Sequence, residues 1–104
     1  MTFEAFLSIC ESSTEPKGLS PHLTALWLDH HGEWDGAHEE IQDGDDKFSA
    51  AIHAYLHRKE GDISNARYWY STAGRKPFSG SLREEWESLA REILKGQAQS
   101  AHKS

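Results

Sequence analysis

Residues 53 to 62 read His-Ala-Tyr-Leu-His-Arg-Lys-Glu-Gly-Asp, so two histidines stand four positions apart and Glu60 follows the second by three. On a helix this spacing puts His53, His57 and Glu60 on one line along a single flank. Two imidazoles at i and i+4 can share a metal ion. A carboxylate one turn further on can be a third ligand or can fix an imidazole tautomer. His38, with Asp35 and Glu39 around it, can approach from across a helical bundle, and His38 is the first choice for completing the set. The chemistry such a centre offers is that of a divalent-metal-dependent enzyme. The simplest case is a hydrolase with His53 and His57 as ligands, Glu60 behind them and a water as nucleophile.

Two other readings compete with this one. In the first, His53 and His57 line the polar side of an amphipathic helix and Glu60 charge-pairs with His57, with no chemistry at all. The absence of a His-Glu-x-x-His signature favours it. In the second, which is the main functional expectation, a non-enzymatic binding module holds a peptide, a protein segment or a small polar ligand in a groove. That groove would be lined by His38, Gln42, His53, His57, Asn65 and Tyr68. Its support is the run Tyr68-Trp69-Tyr70: consecutive residues on a helix point about 100° apart, so all three cannot enter a core. Tyr70 takes the apolar stripe, Trp69 flanks it and Tyr68 faces away, beside Asn65 and Arg67, and aromatic residues and arginine are what binding surfaces favour.

Other clusters read as structure. His30 and His38 fall on apolar stripes, where hydrogen-bonded core histidines are expected. The run Asp43, Gly44, Asp45, Asp46 lacks the alternating oxygen ligands and closing glutamate of a calcium loop, and reads as a helix-capping turn. Ser13, Ser20 and Ser81 are loop or cap residues without a nucleophile elbow.

The elements that must position these side chains are all helical. Five amphipathic segments recur at 3.6-residue spacing after a short N-terminal one (about 2 to 12), and no strand-like alternation stands out. Ser20 caps a helix with Pro21 at its first position, where the missing N–H is harmless, and Leu23, Leu26, Trp27 and His30 form its stripe up to Gly32. A third helix, about 33 to 43, carries Trp34, Ala37, His38 and Ile41. Asp45 is placed to cap a fourth, about 46 to 60, whose stripe is Phe48, Ala51, Ile52, Tyr55 and Leu56 and whose stop is Gly61. A fifth runs from Asp62 to Gly74 with Ile63, Ala66, Tyr70 and Ala73. Ser81 and Glu84 form a capping box for the last, about 82 to 95, with Leu82, Trp86, Leu89, Ala90 and Ile93.

Length and composition limit the rest. A chain of 104 residues with a charge of −6 and eleven aromatic residues suits one soluble domain, expected over residues 1 to 96 with a disordered tail over 97 to 104. The acidic balance, with basic residues scattered rather than clustered, argues against nucleic acid. No apolar run is long enough to span a bilayer. Cys10 is the only cysteine, which excludes an internal disulfide and fits a reducing, cytoplasmic setting.

Matching Gly32 to Gly61 lays LWLDHHGEWDGAHEEI over YLHRKEGDISNARYWY, so that Glu33 meets Asp62, Trp34 meets Ile63, Ala37 meets Ala66 and Ile41 meets Tyr70. The second copy, with Gly61-Asp62, Ala66, Tyr70 and Ala73, resembles the turn and second helix of a tetratricopeptide repeat, which implies a groove-forming scaffold. The string WDGAHEEIQ with HAYLHRKEGDISNARYWYSTAG is also similar to a group of small all-helical bacterial proteins of uncharacterised function. The expected fold is therefore all-α: two tandem helical hairpins, stacked tetratricopeptide-like or closed into a compact bundle, capped by the amphipathic C-terminal helix. That helix can instead pack on its counterpart in a homodimer.

Overall fold

The structure, a computed structural model, describes residues 1–103, with side chains described through Gly96. The tail expected over 97 to 104 lies outside the residues described in full. The order is α1 (Phe3–Glu11), α2 (Pro21–His30), α3 (Trp34–Ile41), α4 (Lys47–Lys59), α5 (Ile63–Thr72) and α6 (Leu82–Lys103), and no strand occurs among the described residues.

Local chemistry sets the helix ends. The Ser20 hydroxyl accepts from the Leu23 N–H at the start of α2, and Ser81 and Glu84 exchange two hydrogen bonds, 2.8 and 3.0 Å, at the start of α6. Asp46, not Asp45, caps α4. Its carboxylate accepts from the Ser49 N–H at 3.1 Å and the Ser49 hydroxyl at 2.6 Å, because a cap must precede the first helical residue, which is Lys47.

The two hairpin turns are the same turn. Gly32 and Gly61 take φ of +78° and +89°. The N–H after each glycine reaches back to a carbonyl five residues earlier: Glu33 to Leu28 and Asp62 to His57, both 2.9 Å. This is the closing bond of a Schellman cap, and a left-handed backbone at its centre favours glycine. α3 thus folds back on α2, and α5 on α4.

A Cα radius of gyration of 13.1 Å matches the roughly 13 Å of a compact domain of about 100 residues, so the hairpins form a globule. At its centre is α4, which packs against α2, α3, α5 and α6. Its nine consecutive residues from Ser49 to His57 are all buried. Three indole N–H groups tie neighbouring helices together through backbone carbonyls: Trp27 to Ile9 at 3.1 Å, Trp34 to Leu56 at 2.8 Å, and Trp86 to Leu26 at 3.0 Å.

This burial corrects three expectations. His53 and His57 do not line a solvent-facing side of α4; they are 3% and 7% exposed, since α3 and α5 cover the flank that the sequence presents as polar. His30 is exposed rather than a core histidine, because it ends α2 where the chain turns away. Ile63 is 49% exposed at the first position of α5, leaving Ala66, Tyr70 and Ala73 to face inward.

Candidate metal centre

Two pairs at i, i+4 spacing face each other where α3 crosses α4. Trp34 and His38 lie one turn apart on α3 with rings stacked, 9° between planes and 5.1 Å between centroids. His53 and His57 lie one turn apart on α4 with rings 3° from parallel. The His38 ring stands across both, at 76° to His53 and 73° to His57. One ring nitrogen from each of the three histidines comes within 4.8 Å of the other two. The closest pair is Nε2 of His38 and Nε2 of His53, 3.0 Å apart.

Glu60 takes the position behind this group. Its Oε1 accepts from Nδ1 of His57 at 2.7 Å, which fixes the tautomer and leaves Nε2 as that ring's available ligand. Asp62 lies near Glu60 and His57, but its carboxylate is engaged in capping α5 through the Asn65 N–H.

The walls are aromatic. Trp69 of α5 stacks on His53 at 4.0 Å and 12°, and Trp34 meets His57 edge-on at 5.7 Å. Burial in this apolar setting pushes His53 down to about 4, and the charges that His38 and His57 would carry add to the effect. His38 is also held below the ordinary imidazole value, first by burial and then by His57, against the opposing pull of Glu60, Asp35 and Glu39. An imidazole kept neutral is an imidazole ready to ligate, because no proton has to leave. One polar atom is left over: Nδ1 of His53 is buried without a hydrogen-bond partner.

No protein-family model, curated protein or solved structure matches this chain. What the molecule offers is the geometry of its three imidazoles. Zinc–nitrogen bonds are about 2.0–2.1 Å, which puts tetrahedral ligand nitrogens roughly 3.3 Å apart. The His38–His53 pair is already near that separation, and a His57 nitrogen lies within 4.8 Å of both. Three imidazoles without a carboxylate among them suit zinc, copper or nickel, and do not suit magnesium or calcium, which require oxygen.

The structure thus brings together His38, His53, His57 and, one step behind, Glu60. It leaves the other residues of the expected groove outside. Gln42 is exposed at the C-cap of α3. Asn65 is tied to Asp62 at the start of α5. Tyr68, 62% exposed, lies nearly perpendicular to Trp69 at 5.1 Å, on the side of that ring's helix away from the core. The wall Trp69 belongs to the Tyr68-Trp69-Tyr70 run that the sequence offers as groove-lining. Trp34 reads there only as a stripe residue, although it carries a signal: it precedes His38 by the same four positions that separate His53 from His57.

Proposed function

We propose that this chain is a metal-binding helical module that takes one divalent ion of the zinc class on His38, His53 and His57, with Glu60 orienting His57. The observation that carries the proposal is the convergence of three imidazole nitrogens from two helices within 4.8 Å, inside an aromatic enclosure. Two of the three imidazoles already present Nε2 to each other at 3.0 Å, close to the separation of neighbouring ligands on one ion. Three protein nitrogens leave a fourth position for water or an outside donor, the ligand count of catalytic zinc sites. Metal-dependent hydrolysis is therefore the second reading, and a scaffold that binds partners through the same bound ion is the first. The matching hairpin turns support a relationship to tetratricopeptide-like scaffolds. The single buried cysteine, Cys10, supports a reducing compartment.

Untagged protein incubated with zinc and desalted should retain one equivalent. A hundredfold excess of ion over Kd should raise stability by about 2.7 kcal/mol. His53→Phe, which keeps a ring against Trp69 but removes the ligand nitrogen, should abolish both effects while the metal-free protein still folds cooperatively. If neither zinc, copper, nickel nor cobalt is retained by the folded wild type, the proposal fails.

A further inference from the structure

On α4, Tyr55 and Lys59 follow His53 and His57 by two positions, which turns them about 200° around the helix to the flank away from the triad. There a cleft of about 240 Å³ opens between α2, α4 and α6, lined among others by Asp29, His30, Lys59, Leu82, Arg83 and Trp86. The floor is finished structure. Asp29, 3% exposed, is the one carboxylate in the lining, and both its oxygens are engaged: Oδ2 accepts from the Tyr55 hydroxyl at 2.5 Å and Oδ1 from Lys59 at 2.9 Å.

The rim is not finished in the same way. Arg83 lies over the Trp86 ring, 4.7 Å from its centroid, and among the described residues no carboxylate lies within ion-pair distance of it. A guanidinium over an indole is held by its cationic charge on the ring face, and Arg83, exposed at the rim, donates no hydrogen bond to the protein among the described residues. The His30 ring, on the other side, is tilted 41° to Trp86 at 5.5 Å. Because Lys59 is balanced by Asp29, Arg83 is the cation of this lining without an ion-pair partner, although it also borders the neighbouring cleft that holds Glu84 and Glu87.

We propose that this cleft binds a small organic carboxylate, its carboxyl group on the Arg83 guanidinium beside Lys59 and its apolar part against Leu82. One surplus cation matches a monoanion, and the planar fork of arginine matches the two oxygens of a carboxylate. The volume lies below the roughly 300–1,000 Å³ of drug-sized sites, so the ligand is ring-sized rather than a peptide segment. The inference is independent of the metal reading, which involves the other flank of α4.

The test is a nuclear magnetic resonance titration of the full chain with benzoate, followed at the His30 and Trp86 side chains. Benzamide, the neutral analogue, and inorganic phosphate serve as comparisons. Saturable shifts with benzoate, none with benzamide and weaker ones with phosphate are expected. Arg83→Gln should weaken benzoate about tenfold or more, and Arg83→Lys, which keeps the charge but not the fork, by less. Absence of saturation with benzoate in the wild type overturns the proposal. So does an equal response to benzamide or to phosphate, or undiminished binding in Arg83→Gln with its melting temperature intact.

Discussion

Helix α4 carries two kinds of buried polar chemistry on different flanks. On the α2 and α6 side, Asp29 and Glu85, each 3% exposed, have both carboxylate oxygens occupied. Asp29 holds Tyr55 and Lys59; Glu85 holds Arg58 at 2.8 Å and Tyr70 at 2.5 Å, and Arg58 also donates to the Gly80 carbonyl. On the α3 and α5 side, three imidazoles crowd together and one nitrogen is left without a partner. Buried polar groups are ordinarily satisfied, so the two carboxylate networks read as architecture, whereas three ring nitrogens converging on one point leave a set of donors that an ion can complete. The two tyrosines agree with this: burial first, and then the adjoining carboxylate, holds the Tyr55 and Tyr70 hydroxyls protonated far above their ordinary range, as permanent donors.

Breaking the saturated side should have the largest effect. Glu85→Ala leaves Arg58 and Tyr70 facing an empty place and should cost about 3–5 kcal/mol, read as a lowered urea midpoint, with no change in the number of metal ions bound. A loss of metal with the fold intact would merge the two flanks into one system.

Acid should act chiefly on the other side. His53 is held at about 4 against 6.5 when unfolded, so between those values the unfolded chain binds more protons than the native one. The stabilisation is fully present above pH 6.5 and is lost as pH falls toward 4. By pH 5 the loss should be on the order of 2 kcal/mol. Comparing the melting temperature of wild type with that of His53→Phe over this window isolates the contribution, since carboxylates titrate in both. Parallel curves would show that His53 is not held neutral by the fold. The smallest effect sharpens the contrast: Glu60→Gln should reduce zinc affinity about tenfold, by loosening the His57 tautomer, while barely moving stability. Calorimetric titration checks it.

Much of this was legible in the residues and some was not. Glycines 32, 61 and 74, the Ser20-Pro21 start and the Ser81–Glu84 box mark helix ends by local chemistry, and the structure keeps them. The choice between Asp45 and Asp46 as cap was not legible, because two adjacent aspartates offer the same side chain. The greater misreading concerned α4. A helix with histidines on one flank and aliphatic residues on another has the pattern of a half-exposed element, and only the covering by α3 and α5 turns that flank inward. His38 stands out in the sequence as a candidate third ligand by its residue type and its place in the preceding hairpin. The four-residue spacing of Trp34 and His38 hints at their stack, but that Trp69 closes over His53 depends on how α5 crosses α4, which no spacing within one helix encodes.

The chain distances behind these contacts have a consequence for assembly. His38 and His53 are 15 residues apart, whereas Trp86 of α6 bonds back across 60 residues to Leu26. Closing a loop loses entropy that grows with its length, and contacts between near neighbours in sequence form at lower cost. The three imidazoles belong to the inexpensive class and the seal made by the last helix to the expensive one. A nascent chain emerging only as far as α5 already holds every residue of the histidine cluster.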